Sequence, residues 1–115
     1  MLRLTMLAVL LGTLGLAEQK TLNGYLVDKM CSADYVKKGY AAAKAHDSGC
    51  ALMDDCQKAG YGVLTPDGKF VNLDAAGNKR AIAALKASKK QTDLQVTVTG
   101  DVTGDNIKVT SLKMN

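Results

Sequence analysis

The chain has no tryptophan, one proline, one phenylalanine and one histidine among its 115 residues. Each scarcity removes a class of protein. With Pro66 the only proline, and with no repeat or low-complexity tract, nothing marks a linker after the first segment. Aromatic side chains are too few for a base-stacking platform, since the central strands offer only Tyr61 and Phe70. Charge of one sign is nowhere blocked. Basic and acidic residues are interspersed at a formal net charge of +4, which describes a solvated surface rather than a polyanion-binding stripe. Nucleic acid is therefore not an expected partner. A glycine-rich phosphate loop is missing too, because Gly60-Tyr61-Gly62 is too short and opens a strand. Asp54-Asp55 reads as a solvated helix face, since adjacent residues on a helix do not face one another.

Long apolar runs are also scarce. The longest, residues 4–17, spans fourteen residues, short of the roughly twenty that cross a bilayer. It follows Arg3 and ends in Gly15-Leu16-Ala17 before the polar Glu18-Gln19-Lys20, the pattern of a signal peptide over residues 1–17. The residue directly after that point is Glu18, not a cysteine that could carry a lipid. The expected mature protein is periplasmic or secreted and not integral to a membrane. It comprises residues 18–115, enough for one domain with one modest core.

What is present begins with a strand, Thr21 to Asp28, in which Gly24 suggests a bend. An alanine- and lysine-rich stretch, Ser32 to Asp47, favours helix. Gly39 divides it into one imperfect helix or two short ones. Ser48 is placed to cap a further helix from Gly49 to about Lys58, with Gly60 ending it. The period then changes. Tyr61–Thr65 and Lys69–Asp74 form a hairpin about Pro66-Asp67-Gly68. Gly77–Ser88 is a helix with Ala81, Ile82 and Leu85 on its apolar side. In the last pair of strands Leu94, Val96, Val98 and Val102 alternate with polar residues, and Gly100 interrupts the inward set as a barrel corner would. Ile107 and Val109 continue the pattern, while Leu112 falls out of register and suggests a bulge.

Strand, helical insert, strand, strand, helix, strand, strand is the order of a five-stranded OB-like barrel, a mainly β, α+β fold. Its unusual part is the insert, about residues 29–60, between strands one and two. All three cysteines and the histidine lie in it, and a barrel needs none of them to close.

The pieces GYLVDKMC, HDSGC, CALMDDC with the following GYGV, and the closing VTVTGDV and IKVTSL together resemble a family of small exported bacterial proteins of uncharacterised chemistry. That family combines an OB-like barrel with a Cys after the first strand, an H-x3-C element and a further Cys. The resemblance covers nearly the whole chain after residue 17. It implies fold and export and carries no activity. The C-x5-C here is wider than the resemblance implies.

The stretch HDSGCALMDDC places the one histidine and two of the three cysteines within eleven residues. On an unbroken helix His46 and Cys50 share a face, although Ser48-Gly49 interrupts it. Cys50 and Cys56 are six apart, about 9 Å of rise and roughly 240° of turn on one helix, so neither a disulfide nor a shared ion joins them there. Cys31 is therefore expected to meet one or both through the fold. Cys31, His46, Cys50 and Cys56 together make a closed tetrahedral set of the kind that binds zinc. Met53, three residues after Cys50, and Met30, beside Cys31, add soft donors that favour copper(I), or else fill the core.

A transition-metal binding protein using copper or zinc, rather than an enzyme, is the leading expectation. Two alternatives stand beside it. One is an interaction module without cofactor, stapled by a disulfide from Cys31 to Cys50 or Cys56 worth about 2–4 kcal/mol, with one thiol over. The other is a thiol-redox protein, with Cys50 near a helix start favouring thiolate and His46 assisting it.

Overall fold

The computed structural model describes residues 18–115; the expected signal peptide lies outside the described residues. Five strands close into a barrel: β1 (Glu18–Asp28), β2 (Tyr61–Leu64), β3 (Phe70–Leu73), β4 (Gln95–Thr103) and β5 (Asn106–Met114). The strand order is β1-β2-β3-β5-β4, closing back on β1. All pairings are antiparallel except the short parallel contact of β3 with β5. This is the expected OB-like barrel, with a helical insertion after β1 and helix α4 (Ala75–Ala87) between β3 and β4. Among the described residues no helix is long and apolar enough to cross a membrane.

Strand β1 holds the barrel together by serving two neighbours in turn. Glu18 to Tyr25 pair with β4, and Tyr25 to Asp28 pair with β2. Gly24 sits at the changeover. A Cβ there would lie 2.1 Å from the Leu64 carbonyl oxygen, so the two backbones approach more closely than any side chain permits. In the last strand pair Thr99 faces Ser111 while Gly100 faces Val109. Thr110 is thus the extra residue of a bulge, and it explains why Leu112 breaks the inward pattern.

The alternation of β4 packs as expected: Leu94, Val96 and Val98 are buried with Leu26, Val63 and Ile107 in the barrel interior, and Ala81 and Leu85 of α4 pack onto this core. A second, smaller core lies outside the barrel wall. There Tyr25, Val27 and Leu64 pack with Ala43, Cys31, Tyr35, Tyr40 and Phe70. Residues 25–28 of β1 are thus buried without interruption, because the barrel covers one face and the insert the other.

Within the insert the chain forms α1 (Lys29–Lys38), a 3₁₀ helix (Tyr40–Ala45), α2 (Ser48–Ala51) and α3 (Asp54–Ala59). Gly39 separates the first two with φ at 103°, a left-handed region that an L side chain enters at a cost. The single helix expected from Gly49 to Lys58 is corrected to two short ones. Leu52 and Met53 leave helical geometry between them, and Gln57 Nε2 donates to the freed Leu52 carbonyl at 2.6 Å. The cap is also corrected. Asp47, not Ser48, accepts from the Gly49 backbone N–H.

Candidate metal centre

Asp28 organises the site. It is the last residue of β1, paired with Tyr61 across the ladder, and it caps α1 by accepting the Cys31 backbone N–H at 3.0 Å. An aspartate is a good cap because its carboxylate satisfies a helix N–H that has no partner within the helix. The same carboxylate meets His46 Nε2 at 2.8 Å. Both side chains are out of solvent, Asp28 at 0% exposure and His46 at 3%. His46 reaches this place because the chain is extended between the 3₁₀ helix and α2 (φ −63°, ψ 132°). The Tyr35 ring stands edge-on to the imidazole, with ring centres 5.2 Å apart.

Asp28, Cys31 and His46 form the donor cluster, one ligand atom from each lying within 4.8 Å of the others. On one tetrahedral ion, bonds of about 2.0–2.3 Å leave donor atoms roughly 3.3–3.7 Å apart. The Asp28–His46 pair, 2.8 Å apart, would open by about half an ångström, a movement within side-chain reach. The chemistry of the set, one carboxylate, one thiol and one imidazole, suits a transition ion.

The electrostatics of the three groups are coupled. Burial pulls the Asp28 carboxyl upward, but hydrogen bonds with His46 and Cys56, the His46 charge and the Cys31 N–H outweigh it and hold the carboxyl below its ordinary range. Burial and the adjacent Asp28 charge push the Cys31 thiol up. Cys56, buried on α3, goes further: burial, hydrogen bonding to Asp28 and its negative charge raise it from 9.0 to about 11. Asp28 therefore gathers Cys31, Cys56 and His46 around one carboxylate.

Of the residues expected from sequence, Cys31 and His46 come together in the donor cluster, and Cys56 adjoins it through Asp28. Cys50 is exposed on α2, and Met30 and Met53 are exposed as well. His46 and Cys50 do not share a helix, since Asp47 begins a new one between them. The expected disulfide is corrected: Cys31, Cys50 and Cys56 are all free thiols. Cys56 is buried on α3, while Cys50 is exposed on the separate helix α2.

From sequence alone Asp28 reads only as the end of a strand. A signal was available: an aspartate closing the apolar run Tyr25-Leu26-Val27, three residues before a cysteine, is placed to cap a helix and to be buried.

Fold and site together define a small OB-like barrel with a buried Asp/Cys/His donor cluster held against its wall by a helical insert. Comparison with protein-family models, curated proteins and solved structures finds no match to this chain.

Proposed function

We propose that the protein is a small exported metal-binding protein that holds a copper or zinc ion at Asp28, Cys31 and His46. Buried Cys56 and exposed Cys50 both lie outside this three-donor set. One observation carries the proposal: three donor atoms of transition-metal type, from β1, α1 and the linker before α2, lie within 4.8 Å of one another in an otherwise apolar wall. Residues 1–17 direct export, and the ion is the expected partner. When bound, the ion would supply a link between insert and barrel. Asp28 and His46 orient each other for it, while Tyr35 covers the imidazole.

A second reading is favoured by the 2.8 Å contact of Asp28 with His46. That pair alone can clasp the insert to the barrel, leaving an interaction module without cofactor. The two readings part on elemental analysis of reduced protein prepared without chelators. The metal reading expects one equivalent of copper or zinc per chain and three titratable thiols after its removal. Protein that carries no metal, and whose unfolding midpoint is unmoved by either added ion, would be the clasp alone.

A further inference from the structure

The buried carboxylate has a consequence for which ion the site accepts. Asp28 is fully out of solvent, yet no lysine or arginine among the described residues pairs with it; its ionic partner is His46. Burying an anion is costly unless a cation and good hydrogen bonds compensate it. A metal ion would take the imidazole in its neutral form, and the ion would then have to supply the countercharge itself.

The charges decide between the candidates. A bound set of ionised Asp28, ionised Cys31 and neutral His46 carries two negative charges. A divalent ion neutralises them and leaves a buried site with no net charge. A cuprous ion leaves one uncompensated negative charge in the same low-dielectric wall. Donor preference points the same way, since carboxylate oxygen is a hard ligand and copper(I) selects soft sulfur. The soft thioethers that would have favoured copper are at the surface, with Met30 61% and Met53 60% exposed.

We propose that Asp28 is a metal ligand that sets the specificity of the site for divalent zinc over cuprous copper. This rests on the metal-binding reading above and goes beyond it in naming the ion and the residue that selects it.

The test uses the reduced full-length protein and its Asp28→Asn variant, which keeps the shape and removes the charge. Each is titrated with zinc against a chromophoric zinc chelator, and anaerobically with copper(I) against bicinchoninate. The expected result is one zinc per wild-type chain and a loss of zinc affinity above about 100-fold in the variant, beyond the 10–100-fold typical of an outer-shell partner. Copper(I) affinity should change less than about threefold.

Equal losses for both ions would reduce Asp28 to a positioning role and overturn the proposal. Wild-type protein that binds copper(I) but no zinc would overturn it while leaving a metal site standing. Binding of neither ion would defeat the metal-binding reading itself. Because Asp28 also caps α1, the variant is checked by circular dichroism. Should it fail to fold, infrared difference spectra of wild-type protein labelled with ¹³C-aspartate decide: a carboxylate stretch shifted by zinc supports ligation, and an unshifted one overturns it.

Discussion

At the scale of single residues, the Asp28–His46 pair dominates. Removing the partner of a buried carboxylate leaves its charge uncompensated, at a cost of about 3–5 kcal/mol. His46→Ala is therefore expected to lower the urea midpoint by a corresponding amount and to abolish metal retention. His46→Gln, which keeps a donor for the carboxylate, should recover part of the stability and none of the metal. A stable, metal-retaining His46→Ala protein would remove the histidine from the site.

Titration of Asp28 and Cys56 gives stability a two-sided dependence on pH. The folded state holds the Asp28 carboxyl below its ordinary value of 3.8, so its contribution is complete above that range and is lost as pH falls through the lower folded value. Cys56 acts in the opposite sense. Its thiol moves from 9.0 to about 11 in the folded protein, so its contribution is full below pH 9 and disappears as pH rises toward 11. Urea midpoints followed across this alkaline window should fall for the wild type. The slope should flatten in Cys56→Ala, although Tyr61, raised to about 12 by burial and the Asp28 charge, keeps a shallower decline at the upper edge.

At the scale of elements, Gly24 marks the point where β1 exchanges one partner for another. Gly24→Ala would drive a methyl group against the Leu64 carbonyl, and overpacking of this kind costs about 1–3 kcal/mol. A thermal midpoint lower by several degrees is the expected outcome, and an unchanged midpoint would mean the two strands separate there without penalty.

Elements also show what was legible before the structure. The alternation of Leu94, Val96 and Val98 gave β4, and Pro66-Asp67-Gly68 gave the hairpin turn, because both signals are local. Gly39 was legible as a break for the same reason. The interruption of the second insert helix at Leu52-Met53 was not. It is set by tertiary contacts, among them the Tyr61 hydroxyl, which donates to the Ala51 carbonyl from inside the barrel at 2.6 Å. The site was legible in the same proportion. The clustering of His46 with the cysteines was visible in the chain. Asp28, eighteen residues before the histidine, joins it only because β1 and the insert fold onto each other.

For the molecule as a whole, metal affinity and folding stability are one linked quantity. An ion that binds only the folded state at a free concentration of 100 times Kd adds about 2.7 kcal/mol. A domain of this size gains about 4–8 °C in Tm per kcal/mol. Zinc added to the reduced, metal-free protein should therefore raise the midpoint by more than about 10 °C, and chelator should reverse it. The barrel itself should stay folded without the ion, since its interior is complete with Leu26, Val63, Val96, Val98 and Ile107.

The excursion that carries the donors leaves and re-enters the barrel at adjacent positions. Asp28 lies opposite Tyr61 in the ladder, and the Lys29 N–H donates to the Gly60 carbonyl at 2.9 Å. Entry and exit are thus a single strand spacing apart, and a tight turn could bridge them. A host barrel could receive residues 29–60 in place of a hairpin turn only if its wall offered counterparts of Tyr25, Val27, Leu64 and Phe70 together with an aspartate at the splice.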